Sequence, residues 1–182
     1  MDADLDYRSA FELAPVGLVL SRNRVIVDCN EALVEMFRTS RELLTGQSFL
    51  VLYPSPDEFE RTGERIAPIL NASGRYADDR IMKRADGELF WCHVTGRAIQ
   101  RGAPHAAGIW SFEDLSSRRQ VKADLTGRER EVAALLIEGR TSKQIGKTLD
   151  ISHRTVDIYR ARLMRKLKAS TSAELVQRLL SA

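Results

Sequence analysis

Arginine side chains recur at helical spacing in the last third of the chain, at Arg154, Arg162 and Arg165. Guanidinium groups donate hydrogen bonds to phosphate oxygens and to the acceptor edge of guanine. The same helix face would carry Ile158, which suits contact with a thymine methyl group, and Ala161, which leaves room for bases. This combination of residue types favours nucleic-acid recognition over a purely solvated basic face.

The other side of this segment is apolar. At about 100° per residue, Val156, Tyr159, Leu163 and Leu167 fall together and predict a buried helix face. Asp157 lies at the edge of the basic face, where its carboxylate can accept a hydrogen bond from a cytosine amino group. We therefore expect one helix with a buried apolar side and a side that reads DNA.

Threonine and serine residues mark the starts of four helices in this region. A Thr followed three residues later by Glu or Gln can form a capping box, and Ser is a good N-cap. The signatures are Thr126 with Glu129, Thr141 with Gln144, Ser152 before the basic helix, and Thr171 with Glu174. The short turn at 150–152 is typical of a helix-turn-helix, so the predicted partner is the major groove of double-stranded DNA.

Charge is divided unevenly along the chain. Residues 1–119 hold 15 Lys and Arg against 18 Asp and Glu, a net charge of −3. Residues 120–182 hold 13 against 7, a net charge of +6. An acidic half followed by a basic half indicates a nucleic-acid-binding unit attached to a unit with another role.

The basic half resembles the LuxR/FixJ-type helix-turn-helix over about 125–180. The matching residues are Leu125 to Val132, Glu138-Gly139, Ser142 to Gly146, Ser152 to Asp157, and Lys166-Leu167. The resemblance implies a four-helix bundle whose third helix enters the major groove and whose fourth helix pairs two protomers. The family often has His where this chain has Tyr159, a position that faces inward by phase.

The same resemblance assigns individual roles. It implies that Asp157, Ile158 and Ala161 face bases. Thr155, Arg162 and Lys166 are expected phosphate contacts, with Lys143 as a further one, and Arg154 and Arg165 complete the DNA-binding set. The expected dimerisation residues are those of the fourth helix, namely Leu175, Val176, Leu179 and Leu180.

The acidic half predicts two strands, short helices and then three strands. Two β-prone runs, 16–20 and 25–27, read as a hairpin, and Asn30 is expected to cap a helix. Thr39 with Glu42 suggests a capping box, and Ser55-Pro56-Asp57-Glu58 predicts a helix to about Leu70 that Gly63 and Pro68 weaken. Three antiparallel strands are expected in the segments 75–83, 89–99 and 106–113.

This order resembles a PAS domain over about 5–116. The matching residues are Val25 to Ala32, Arg41 to Gly46, Lys83 to Gly87 before Phe90-Trp91, and Ile109 to Ser116. The expected fold is therefore α+β: a PAS sensor domain (1–116) with a five-stranded antiparallel sheet, a connector helix (117–124), and an all-α four-helix DNA-binding domain (125–182). Met36, Phe37, Trp91 and Trp110 are candidate pocket residues, with ordinary core packing as the alternative.

The signal of such a sensor stays open. Flavin–cysteine photochemistry is not favoured, because 46–50 has no cysteine and Cys29 ends a strand. Haem would need an axial ligand, and His93 and His105, in a strand and a turn, are the candidates. A redox pair of Cys29 and Cys92 is a further alternative, beside an organic ligand or none.

Other function classes are excluded or kept as alternatives. The sequence shows no nucleophile–base pairing, metal cluster or phosphate loop, so no enzymatic activity is expected. No apolar run approaches the roughly 20 residues of a membrane span, and an acidic N-terminus argues against a signal peptide, so the expected location is the cytoplasm. The predicted protein is a homodimeric transcription regulator with RNA polymerase as a candidate partner; the alternative is a protein that sequesters a related regulator without its own operator.

Overall fold

The computed structural model describes residues 6–100, 102–117 and 125–180. An α+β domain comes first, and its elements are α1 (Tyr7–Glu12), β1 (Gly17–Arg22), β2 (Val25–Cys29), α2 (Glu31–Phe37), α3 (Arg41–Leu44), a 3₁₀ helix (Phe49–Leu52), α4 (Pro56–Ser73), β3 (Arg75–Lys83), β4 (Leu89–Ala98) and β5 (Gly108–Asp114). A helical domain follows, with α5 (Gly127–Ile137), α6 (Ser142–Leu149), α7 (His153–Lys166) and α8 (Ser172–Leu180). The predicted fold class is confirmed.

The five strands form one antiparallel sheet in the order β2-β1-β5-β4-β3. The β1–β2 hairpin turns at Asn23 and Arg24, which both have positive φ angles, as the tight turns of twisted hairpins require. Side chains alternate between the two faces of each strand. In β4, Phe90 and Cys92 therefore pack with the helices of the first domain, whereas Trp91 joins a second cluster on the other face.

Local capping signals position most of the helices. The side chain of Asn30 accepts a hydrogen bond from the backbone N–H of Leu33 and caps α2, as predicted. The capping box expected at Thr39 is wrong by one residue, because the side chain of Ser40 accepts from the backbone N–H of Leu43 at the start of α3. Helix α2 ends with Arg38 in the left-handed region, and α3 begins at Arg41, directly after Ser40.

Helix α4 runs slightly beyond its predicted end. It begins after Ser55 and passes through Pro68, as predicted, and it ends at Ser73, about three residues past Leu70, with Gly74 as its C-cap at a φ of 73°. An interior proline costs a helix about 3 kcal/mol. The buried side chains of Phe59, Ile66 and Leu70 on one face of α4 offset that penalty, because apolar side chains contribute about 1.5–3 kcal/mol each when buried.

The two domains are packed against each other. Helix α5 lies beside the edge strand β3. Ile81, Trp91 and Leu115 of the first domain share one apolar cluster with Leu125 and the core of the second. The expected connector (117–124) lies outside the described residues except for Ser117. None of the helices in the described part of the chain has the length and apolar character that crossing a bilayer requires.

Candidate nucleic-acid interface

Helix α7 is held by a cap at its start and by two fully buried side chains. The hydroxyl of Ser152 accepts a hydrogen bond from the backbone N–H of Thr155 at 3.0 Å. Val156 and Leu163 are completely buried in the helical domain, and Tyr159 and Leu167 pack partly against the same core. The predicted apolar face of α7 therefore packs against the core of the helical domain.

The turn between α6 and α7 depends on close backbone packing. Asp150 ends α6 in the left-handed region with a φ of 53°, and the N–H of Ile151 donates to the carbonyl of Gly146 at 2.9 Å. A Cβ atom at Gly146 would lie 2.6 Å from the carbonyl oxygen of Ile151. Glycine at this position therefore allows α7 to leave α6 at this angle.

The face of α7 opposite the core is open. All six side chains predicted on it are exposed, namely those of Arg154, Asp157, Ile158, Ala161, Arg162 and Arg165. Ile158 is 49% exposed, so its side chain is accessible for contact with a thymine methyl group. A helix of 14 residues is about 21 Å long, enough to lie along a major groove.

Asp157 takes part in a polar network that the sequence did not reveal. The hydroxyl of Ser142, the first residue of α6, donates to its carboxylate at 2.7 Å. Arg160 donates to the hydroxyls of Ser142 at 3.0 Å and of Ser172 at 2.7 Å. Because Arg160 thereby joins α6 and α8 to α7, it orients the predicted base-reading carboxylate without itself lying on the open face. In the sequence, the three-residue spacing between Asp157 and Arg160 was the feature that could have indicated this network.

Lys166 is exposed, but its ammonium is paired within the domain. Its ammonium lies 2.7 Å from the carboxylate of Glu129, which is almost fully buried and also accepts from the backbone N–H of Thr126 at 2.8 Å. Burial alone would raise the pKa of Glu129, but the hydrogen bonds from Lys166 and Thr126 outweigh it, so the pKa lies below its ordinary value. The capping motif predicted the bond to Thr126 but not the one to Lys166.

The remaining DNA-contact candidates are placed as follows. Lys143 is exposed on the first turn of α6. Thr155 is half-buried, and its hydroxyl shares a hydrogen bond with that of Ser152 at 2.8 Å. The guanidinium carbon of Arg162 lies 5.6 Å from the ring centre of Tyr159. A guanidinium held near a ring by such a cation–π contact keeps its N–H groups available for phosphate.

The expected dimerisation residues are split between two environments. Leu175 and Leu179 are buried in the core of the helical domain, 1% and 5% exposed. Val176 is half-buried, and Leu180 is 38% exposed. The α-helical period places these two pairs on different sides of α8. Within one protomer, only Val176 and Leu180 remain accessible to a second chain.

The four candidate pocket residues do not line one cavity. Phe37 is buried between the rings of Phe90 and Phe112, and Met36 packs at the margin of the same core. Trp91 faces the helical domain instead, because it lies on the other face of β4. Trp110 lines an interior cavity of about 30 Å³.

That cavity is mostly apolar and very small. Its walls include Phe49, Tyr53, Phe59, Ile66, Val94 and Phe112 around Trp110, with Arg24, Arg80 and His105 as polar members. The indole N–H of Trp110 donates to Ser21 at 2.9 Å. A cavity needs about 10–15 Å³ for each water-sized group, so two or three heavy atoms fit here.

The residues around the cavity do not fit haem or a flavin. The space is far too small for either, and His93 lies on the other face of β4, where its Nδ1 is 2.6 Å from Asp79. His105 does line the cavity, and burial together with Arg24 lowers its pKa. Cys29 and Cys92 are free, buried thiols, and burial raises their pKa values to about 11 and about 12, which disfavours thiolate chemistry.

Two family models match the chain. Residues 15–117 match the PAS domain, and residues 123–179 match the family described as bacterial regulatory proteins, luxR family. The solved PAS domain of a LuxR-family transcriptional regulator from Burkholderia thailandensis, in complex with ethanol, is 70% identical. The likeness has a TM-score of 0.61 and covers 62% of this chain and 99% of that one.

Two further proteins are similar over longer stretches. The sensor protein TdiS of Thauera aromatica is 30% identical over 140 residues, which are 77% of this chain and 25% of TdiS. The VqmA dimer of Vibrio cholerae is 22% identical with a TM-score of 0.55, covers 96% of this chain and 86% of that one, and shows a shared fold. The chain spans a quarter to about half the length of the first curated relatives it matches. Because both domains match these family models, the chain belongs to the LuxR family of bacterial regulatory proteins, with a PAS domain preceding the helix-turn-helix.

Proposed function

We propose that this protein is a sequence-specific transcription regulator that binds double-stranded DNA through α7. The exposed face of α7 carries this proposal. Its arginines surround Ile158, and no other face of the helical domain combines capped helix geometry with this set of side chains in the described residues. In this proposal the division into a sensor (1–116), a connector (117–124) and a DNA-binding domain (125–182) is retained.

The side chains of the open face have separate roles in this proposal. Asp157, Ile158 and Ala161 read base edges, since they lie centrally and differ in hydrogen-bonding and apolar character. Arg154 and Arg165, with the other basic residues named above, supply affinity for phosphates. Lys166 contributes less than its position suggests, because Glu129 already pairs with its ammonium.

A double substitution tests DNA binding against the sequestering alternative. Arg154→Ala with Arg165→Ala should weaken binding to an operator selected from a random library and reduce the slope of log K against log salt by about 2, near 0.9 per phosphate contact. Arg75→Ala with Arg97→Ala removes the same charge from exposed positions on β3 and β4 and serves as the control. A wild-type protein that selects no operator but captures a related regulator would support the alternative.

We further propose that the protein acts as a homodimer on a two-fold DNA site. The exposed part of α8, Val176 and Leu180, supports this proposal as a small accessible apolar surface. Leu180→Glu should shift the sedimentation coefficient towards the monomer and weaken binding to paired half-sites more than to one half-site. Gln177→Glu, an exposed neighbour on the same helix, is the matched control. The proposed location of the dimer is the cytoplasm. In vitro transcription with bacterial RNA polymerase tests whether it activates or represses.

The interior cavity is the proposed sensing site. Its size admits a ligand of two or three heavy atoms, and the 70% identical PAS domain was solved in complex with ethanol. Ethanol should therefore change the emission of Trp110, measured in a Trp91→Phe variant, whereas 1-hexanol should not enter. Emission that responds equally to both alcohols, in proportion to their effect on free tryptophan, would contradict binding in the cavity.

A further inference from the structure

A second cavity lies between the two domains. It has a volume of about 270 Å³, just below the roughly 300 Å³ at which small-molecule sites commonly begin. Helix α4 and strand β3 provide the sensor wall, and α5, with the residues that follow it, provides the DNA-binding wall. It is separate from the interior cavity, although Tyr53 and Arg80 line both.

Carboxylates at this cleft are already paired. Glu58 is bound by Arg130, Asp78 by Arg65 and Arg80, and the remaining three also have partners. Those are Glu131 with Arg61 and Arg128, Glu138 with Arg140, and Asp79 with His93. Four of these carboxylates thus pair with six arginines and the fifth, Asp79, with His93, so each acidic side chain that lines the cleft already has a partner.

One arginine that lines the cleft has an unused, buried donor. Among the described residues, the Nε–H of Arg65 is the one buried side-chain nitrogen or oxygen without a hydrogen-bond partner. Its Nη2 donates to Asp78 at 2.9 Å, which holds the guanidinium in place. A buried unpaired donor costs about 1–3 kcal/mol and is usually satisfied by a water, an ion or a ligand.

The opposite wall offers a second cation with spare donors. Arg140 follows α5, is about half exposed, and uses only its Nε in the described structure, towards Glu138 at 3.3 Å. Guanidinium groups prefer carboxylate and phosphate oxygens, with which they form charge-assisted hydrogen bonds. We propose that this cleft binds a small oxyanion, a carboxylate or a phosphate, that accepts hydrogen bonds from Arg65 on the sensor wall and from Arg140 on the DNA-binding wall.

Such a ligand would stabilise the docked arrangement of the domains. Because its two contacts belong to different domains, it binds the docked state better than an undocked one and shifts the population accordingly. Trp91 is buried in the apolar cluster between the domains and reports on docking. With Trp110 replaced by phenylalanine, Trp91 is the single tryptophan of the chain.

Titration calorimetry of the full chain without DNA tests the site. The probes are sodium phosphate and sodium succinate at matched ionic strength, and the one that binds identifies the oxyanion class. Arg65→Lys keeps the charge facing Asp78 but has no Nε–H, and Arg140→Gln removes the opposite donor. Each should weaken binding by about tenfold, the effect of one charge-assisted hydrogen bond. Arg75→Gln, an exposed arginine of β3 that does not line the cleft, should bind like the wild type.

The results that support the proposal differ from those that overturn it. Saturable binding that both cleft variants lose, with reduced acrylamide quenching of Trp91 when the probe is bound, supports the proposal. Absence of saturable binding of both probes, equal affinity in the cleft variants, or unchanged quenching of Trp91 overturns it. Arg140 is exposed, so Arg140→Gln is expected to fold. If Arg65→Lys does not fold, the affinity of Arg140→Gln for the probe tests the proposal by itself. DNA binding is not measured, so failure here leaves the proposed DNA-binding function untouched.

Discussion

Arg130 of α5 pairs with Glu58 of α4 across the boundary between the two domains, with Nε 3.1 Å from Oε2. Both side chains are buried, 11% and 7% exposed. Glu58 also accepts a hydrogen bond from Ser55 at 3.0 Å, and Arg130 donates to the carbonyl of Leu125. The start of the longest helix of the PAS domain is therefore tied to the first helix of the helix-turn-helix domain.

Breaking this pair on one side should destabilise the protein strongly. Glu58→Gln leaves the guanidinium of Arg130 buried without a counter-charge, which costs about 3 kcal/mol. Urea unfolding measures the loss. Glu60→Gln, on the same helix, breaks the exposed pair with Arg24 and should cost less than about 1 kcal/mol. Adding Arg130→Met to Glu58→Gln should recover much of the stability, and strictly additive losses would contradict a direct interaction.

Asp157→Ala should reduce the discrimination between bases rather than overall affinity. Removal of a negative charge near DNA tightens non-specific binding, whereas loss of a base contact removes about 1–3 kcal/mol of discrimination at one position. Affinities for the selected operator and its single-base variants measure this difference. Glu138→Ala removes an equal charge away from α7 and should leave base preference unchanged. Unaltered preference in Asp157→Ala would remove this residue from the base-reading set.

Gly146→Ala should misplace helix α7. The added Cβ would meet the carbonyl oxygen of Ile151 at 2.6 Å, and relief of such overpacking costs about 1–3 kcal/mol. Because the turn carries α7, operator affinity should fall together with stability. Thr148→Ala on the exposed side of α6 is the control. A stable Gly146→Ala protein with full operator affinity would show that the turn tolerates another geometry.

Glu129 should give stability a specific pH dependence. Its folded-state pKa lies below its ordinary value of 4.5, since the bonds from Lys166 and Thr126 outweigh burial. Its contribution is therefore fully present above pH 4.5 and is lost as the pH falls through the folded-state pKa. The stability difference between the wild type and Glu129→Gln, followed by urea unfolding, should shrink over that acidic range. A difference independent of pH would exclude the ion pair with Lys166 as its source.

Sequence patterns predicted the elements that depend on neighbouring residues. The capping boxes at Thr126 and Thr141 and the caps at Asn30, Ser55 and Ser152 form as expected, because each uses backbone groups two or three residues away. The open face of α7 follows for the same reason, since the helical period alone separates it from the buried side. Ser40, not Thr39, caps α3, because α3 begins at Arg41 and the N-cap is the residue directly before it.

Contacts between distant segments could not be read from these patterns. Strand alternation separated Trp91 from Trp110, but only the packing of α5 against β3 showed what covers Trp91. Leu175 and Leu179 show the same limit, because an apolar side chain can be buried either in the core of one protomer or in a dimer interface. In each case several partners satisfy the same residue type.

The sequence by itself determined the two domains, their order, and the exposed face of α7, because local hydrogen bonding and helical periodicity specify them. Only the tertiary structure decided which charged side chains are paired with each other and which keep an unpaired donor. It paired Lys166 with Glu129 and Glu58 with Arg130, and it left the Nε–H of Arg65 unpaired between the domains. An ion pair depends on distance in space, and residues 37 and 72 positions apart come within hydrogen-bonding distance only when the chain is folded.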